Sequence, residues 1–185
     1  MTTSAADRKE FKSAICIAPP IELCNQVQQW RQNHDAAFNR WMPHINLIFP
    51  FVPLDMFESK LPQLQEAVGR VPAFKIKFNE FSYFEHGKKC VLWLAPETDR
   101  PFAIHELQSA LTGALPGFNE LSDRGFTPHM TIGQFGTLKE TQSKISQFKA
   151  VLTPIEFMVT EIPMINRVGD TPFVVINTLK LGPPN

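Results

Sequence analysis

Apolar and polar positions change period several times along the chain, and each change predicts an element. Residues 13–18 are small and β-branched apolar residues that stop at Pro19-Pro20, which supply no amide donors, so they predict a short strand. Residues 21–34 place Ile21, Leu23, Cys24, Val27 and Trp30 at three- and four-residue steps among Gln and Asn, the pattern of an amphipathic helix. In residues 41–52, Ile45, Leu47, Phe49 and Phe51 share one parity of a pleated strand, and His44 and Asn46 fall on the other. Residues 54–68 predict a helix, with Pro62 as a kink or short break.

Further on, Phe74, Ile76 and Phe78 alternate with Lys75, Lys77 and Asn79, and Glu85-His86-Gly87-Lys88 turns this strand into a second one over residues 90–95. Asp99 and Pro101 open a helix that Ile104, Leu107, Leu111 and Leu115 carry to Pro116-Gly117. After a loop over residues 118–126, a short strand begins near His129 and runs towards Phe135, and residues 138–151 form a helix. Residues 155–167 and 173–181 are two strands joined by a turn at Gly169-Asp170. This order repeats once: each half holds a histidine-bearing strand, a helix and a hairpin. Two such halves pack as lobes of one α+β domain, with the histidine strands side by side and a cleft between them. The expected organisation is a polar segment over residues 1–12 and a single bilobal domain over residues 13–183.

Composition narrows the function. With 185 residues, 43% of them hydrophobic, the chain fills one core. Eighteen basic residues balance eighteen acidic ones, so no overall field gathers polyanions and extended coating of nucleic acid is excluded. A cleft for one nucleotide or an RNA end needs only a few placed donors. Cys16, Cys24 and Cys90 have no CxxC spacing, and the polar start has neither a secretory signal nor a membrane span. The expectation is an intracellular monomer of cytoplasm or nucleus, without membrane partners. No clustered His, Cys, Asp or Glu suggests a metal, and no GxxxxGK[ST] or GxSxG string suggests a triphosphatase or serine hydrolase, so no cofactor is expected.

The chemistry lies in two matching strings, Pro43-His44-Ile45-Asn46-Leu47 and Pro128-His129-Met130-Thr131-Ile132. A preceding proline favours extended backbone, and the two-residue period places each histidine and its polar partner on one face. Phosphodiester chemistry needs one group to take a proton from the nucleophile and another to protonate the leaving oxygen, and histidine performs either near neutral pH. The Asn46 amide and the Thr131 hydroxyl are donors for non-bridging phosphate oxygens. Trp41, Tyr83 and Phe84, at strand ends, are candidates to stack on a base, and Arg124 is a candidate cation at the cleft rim. His86, Lys88 and Lys89 form a polar turn. His34 and His105 lie in predicted helices as surface or capping residues.

These strings resemble the two His-x-Thr/Ser motifs of the two-histidine phosphoesterase superfamily, which includes 2′-5′ RNA ligase-like proteins and cyclic nucleotide phosphodiesterases. The context Trp41-Met42-Pro43-His44-Ile45-Asn46 is most similar to the branch of kinase-anchoring-protein-like 2′-5′ RNA ligase domains. The resemblance spans nearly the whole chain. It implies two pseudo-symmetric lobes of antiparallel sheet with outer helices and a central cleft. It also implies metal-independent attack on 2′,3′-cyclic phosphates, 2′-5′ linkages or RNA 3′ ends, with His44 and His129 as acid and base and Thr131 on the phosphate. Asn46 departs from the motif while keeping a donor, and Gln134 stands where many bacterial members carry an arginine, offering hydrogen bonds without charge. The rival readings are a nucleotide- or RNA-end-binding module of the same fold with little turnover, motivated by Asn46, and an interaction domain whose histidines are incidental.

Overall fold

The computed structural model describes residues 8–122 and 125–184. Two four-stranded antiparallel sheets share one hydrophobic core. The first, in the order β2-β1-β7-β8, contains β1 (Ser13–Ile17), β2 (Ile45–Ile48), β7 (Glu161–Asn166) and β8 (Val174–Lys180). The second, in the order β5-β4-β3-β6, contains β3 (Phe74–His86), β4 (Lys89–Thr98), β5 (Met130–Phe135) and β6 (Ile155–Val159). The helices are α1 (Asn25–His34), α2 (Phe57–Gly69), α3 (Ala103–Ala114) and α4 (Leu138–Lys149). Helix α2 runs through Pro62 after a separate 3-10 turn at Leu54–Met56, so the expected break lies upstream of the proline.

The halves exchange their hairpins. Residues 155–167, expected as one strand, divide at Thr160: β6 pairs with β3 in one sheet and β7 with β1 in the other. The hairpin β3-β4 joins the sheet of β5, and β7-β8 joins the sheet of β2. Each histidine therefore belongs with the hairpin of the opposite half of the sequence. The helices cross over likewise, α1 packing on β5 and α3 on β2. Gly133 in β5 permits the first contact, since a Cβ there would stand 2.6 Å from the Cβ of His34 and 2.8 Å from its carbonyl oxygen. His34, expected at the surface, is half-buried with its ring 5.1 Å from that of Phe135.

The histidine strands are not neighbours in one sheet; β2 and β5 are the edges of separate sheets. Both carry the same irregularity. Cys16 pairs with Asn46 but Ile15 with Ile48, and Trp93 pairs with Thr131 but Leu92 with Gly133. Leu47 and Ile132, each three residues after a histidine, are thus the extra residues of matched bulges, which bend a strand and reset its parity. The alternation expected through residues 45–51 breaks there. Phe51 enters the main core, whereas Phe49 joins Trp41 and Met42 over a smaller cluster of Ala14, Cys16, Ile165 and Phe173.

Candidate active site

His44 and His129 occupy the residues immediately before β2 and β5. The Nδ1 of His44 lies 2.7 Å from the carbonyl oxygen of Met42, and the Nδ1 of His129 lies 2.8 Å from that of Thr127. A carbonyl only accepts, so both Nδ1 atoms carry hydrogen and donate, which leaves Nε2 as the ring nitrogen available for chemistry. The intervening Pro43 and Pro128 hold the backbone extended, so each ring folds back on the residue two positions upstream.

The rings open on two adjoining cavities. One, of about 420 Å³, is lined by His44, Asn46, Thr131 and Gln134 together with Trp41, Arg31, Arg40, Arg167 and Phe173. The other, of about 540 Å³, is lined by His129, Phe84, His86, Phe126 and Thr127. Asn46 and Val91 border both, so the motif residues of the two sheets meet in one cleft. Asn46 Oδ1 is buried without a hydrogen-bond partner, and neither the Asn46 nor the Thr131 side chain bonds another described residue.

The other sequence-derived candidates divide. The Trp41 ring stacks on His44 with centroids 4.4 Å apart and planes 17° apart, and Phe84 meets His129 edge-on at 4.9 Å. Tyr83, one residue from Phe84, falls on the opposite face of β3 and lines neither cavity. Gln134 borders the first cavity, but its amide clasps the chain after α1: Oε1 accepts from Ala36 N at 2.9 Å and Nε2 donates to Asp35 Oδ1 at 3.3 Å. Arg124 lies outside the described residues. His86 reaches the second cavity, and His105 places Nε2 3.1 Å from the carbonyl oxygen of Phe126.

Several lining residues were not singled out from the sequence. Arg31 is 1% exposed, donates to Asp35 Oδ2 through Nε at 2.9 Å and Nη2 at 2.8 Å, and reaches the Trp41 carbonyl oxygen through Nη2 at 2.9 Å. Its signal was present as a cation four residues before an anion at a predicted helix end. Arg40 sits in a connection, where spacing carries no information about the cleft, and Arg167, expected as the last residue of a strand, follows β7. Trp93 lines neither cavity but backs the site, its ring 5.8 Å from that of His129, and it reads in sequence as core.

Burial is the largest influence on His44 and lowers its pKa to about 4; the Met42 hydrogen bond and Asp35 oppose this, while Arg31 and His129 add to it. Burial also lowers the pKa of His129, against its bond to Thr127. As pH falls from the ordinary value of 6.5 towards about 4, the unfolded chain gains a proton at residue 44 that the folded chain does not, so stability is lost in that window. The loss is on the order of 3 kcal/mol at most. Denaturant melts at about pH 7 and about pH 4.5 should therefore show a smaller acid-induced loss for His44→Gln than for the unaltered protein, and an equal loss would exonerate His44. Burial likewise pushes the Cys16 thiol up to about 12 and the Cys24 thiol up to about 11, so neither is a nucleophile at neutral pH. Among the described residues, no three His, Cys, Asp or Glu side chains gather as a metal site, and no helix is long and apolar enough to cross a membrane.

Two antiparallel sheets whose edge strands each bring a histidine and a polar partner to a shared cleft define the two-histidine phosphoesterase class. Residues 19–171 match the family model of the 2′-5′ RNA ligase superfamily, and the chain belongs to that superfamily. It is similar to a protein of Geobacillus kaustophilus (strain HTA426) provisionally named a phosphoesterase, with 25% identity over 174 residues that make up 93% of this chain and 97% of that one. Among solved structures, apo LigT of Escherichia coli aligns with a TM-score of 0.60 and 19% identity over 95% of this chain and 99% of LigT. LigT complexed with 3′-AMP aligns with a TM-score of 0.59 and 20% identity over 92% and 97% of the two chains. The membership brings a phosphoesterase-type function, and the LigT likeness bears on the fold.

Proposed function

We propose that the cleft hydrolyses an RNA phosphodiester without a metal ion: a 2′,3′-cyclic phosphate, or a related 2′-5′ or 3′-end linkage. The observation that supports this most is the matched pair of imidazoles, each pinned through Nδ1 to a carbonyl two residues upstream, with unpartnered Asn46 and Thr131 lining the same cleft. Burial and the nearby Arg31 keep His44 neutral, which suits a base. His129 is the acid, because the negative charge of a bound phosphate favours its protonated form. As water oxygen bonds to phosphorus, its proton passes to His44 Nε2; the bond from phosphorus to a ribose oxygen breaks, and that oxygen takes the proton from His129 Nε2. Asn46 and Thr131 donate to the non-bridging oxygens. LigT, which shares the fold, holds 3′-AMP in one crystal structure, consistent with a nucleotide here.

The test is turnover of adenosine 2′,3′-cyclic phosphate, 2′-5′ oligoadenylate and short RNAs by the purified protein in EDTA. Monophosphate release that survives chelation is the expected result. Nucleotide binding without turnover of any of these would replace the enzyme with a binding module of the same fold, and activity abolished by EDTA would expose a metal requirement.

A further inference from the structure

The cavity on the His44 side carries more positive charge than one phosphate calls for. Among the described residues, Arg31, Arg70 and Arg100 pair with carboxylates, whereas Arg8, Arg40 and Arg167 have no ion pair or side-chain hydrogen bond. Arg40 and Arg167 line this cavity. The one carboxylate in its lining is Asp35, already bound to Arg31. Arg167 Nη1 is buried with no acceptor, a costly state for a guanidinium unless an anion completes it.

The segments that carry the two arginines are tied together. Arg40 precedes Trp41 in the α1-β2 connection, Arg167 follows β7, and the Phe173 amide donates to the Arg40 carbonyl oxygen at 2.8 Å, tying the connections together. The Arg167 guanidinium carbon lies 5.7 Å from the Phe173 ring centroid, and the Phe173 ring lies 4.0 Å from that of Trp41. Trp41 in turn stacks on His44. A continuous wall therefore runs from the histidine to the unpaired cations, while the cavity on the His129 side is lined by Phe84, Phe126 and Val91. Among the described residues, the cleft is cationic at one end and mainly apolar at the other, where His86 and Thr127 are the polar exceptions beside the motif residues.

We infer that Arg40 and Arg167 bind a second phosphate of the substrate, separated by a sugar from the phosphorus under attack, with the base on the His129 side. Placement of the reacting phosphorus rests on the phosphodiesterase reading; the second subsite rests on the two unpaired cations. Gln134 lines the same cavity without charge and is engaged with Ala36 and Asp35, so the free cations of this cavity are those of the α1-β2 connection and of the segment after β7.

Calorimetric titration at low salt tests this with adenosine 3′-phosphate, adenosine 3′,5′-bisphosphate and a diadenosine dinucleotide ending in a 3′-phosphate. At least one ligand with a second phosphate should bind roughly 10- to 100-fold more tightly than the monophosphate, as charge-assisted bonds to an anion predict. Preference for the bisphosphate identifies a terminal phosphate as the occupant, and preference for the dinucleotide alone identifies a chain phosphate. In Arg40→Gln/Arg167→Gln the ratio should fall towards one. Equal affinity for all three ligands in the unaltered protein, which needs no variant to fold, overturns the inference, as does an unchanged ratio in the folded double variant. Absent turnover with the ratio intact removes the diesterase reading and keeps the subsite; turnover with a ratio of one does the reverse.

Discussion

His44→Ala and His129→Ala should each lower kcat for a 2′,3′-cyclic nucleotide by roughly a hundred- to ten-thousand-fold, the range of a lost general acid or base. The double variant should be only slightly worse than either single one, because the two rings act in one concerted proton exchange. The variants should nevertheless differ. His129→Ala loses the proton for the leaving oxygen, so its defect should largely vanish with a nitrophenyl phosphodiester, whose leaving group needs no proton. His44→Ala lacks the base and should stay impaired on both substrates. The acidic limb of kcat/KM follows protonation of His44 and should fall near about pH 4, where the buried ring becomes charged. Circular dichroism should accompany the kinetics, since His44 also supports the Trp41 ring. Activity within tenfold of the unaltered protein for either alanine variant would sink the two-histidine mechanism.

Much of this site was legible because two local signals coincided. Pro-His-apolar-polar is a short-range pattern whose consequences, extended backbone and a shared face, follow from sterics within a few residues. The structure adds that both strings bend the same way, through bulges at Leu47 and Ile132. Apolar alternation cannot reveal these, because a bulged strand still reads as apolar residues in series. Strand partnership was similarly hidden. Residues 155–167 are apolar throughout enough of their length to read as one strand, and nothing local to Thr160 says that the chain changes sheets there. The long-range pairing depends on Gly133 admitting α1, a contact between residues about 100 positions apart. Charge in the cleft was invisible for the same reason: a net charge of zero conceals that Arg40 and Arg167 are gathered at one cavity.

The buried pair Arg31–Asp35 joins stability to chemistry, and its disruption should have the largest effect on folding. Both side chains are 2% exposed, so Asp35→Ala leaves a guanidinium in the interior with Gln28 and the Trp41 carbonyl as its remaining partners. Removing one partner of such a pair costs about 3–5 kcal/mol, mostly because the other charge is stranded. Asp35 also accepts from the Ala37 amide at 2.9 Å and from Gln134 at 3.3 Å, so its loss loosens the segment that carries Arg40 and Trp41. Asp35→Asn retains hydrogen bonds while removing charge, and should fall between the unaltered protein and Asp35→Ala in denaturant melts. Because Asp35 raises the His44 pKa and Arg31 lowers it, either substitution moves the acidic limb of kcat/KM further down in pH. Arg31→Met/Asp35→Leu, which removes both charges, should recover most of the lost stability. That double variant should also leave the His44 limb closer to the unaltered position than Asp35→Ala does, because the opposing influences disappear together. A double variant as unstable as Asp35→Ala would mean that packing and the bonds to Ala37, Gln134 and Trp41, rather than the stranded charge, set the cost.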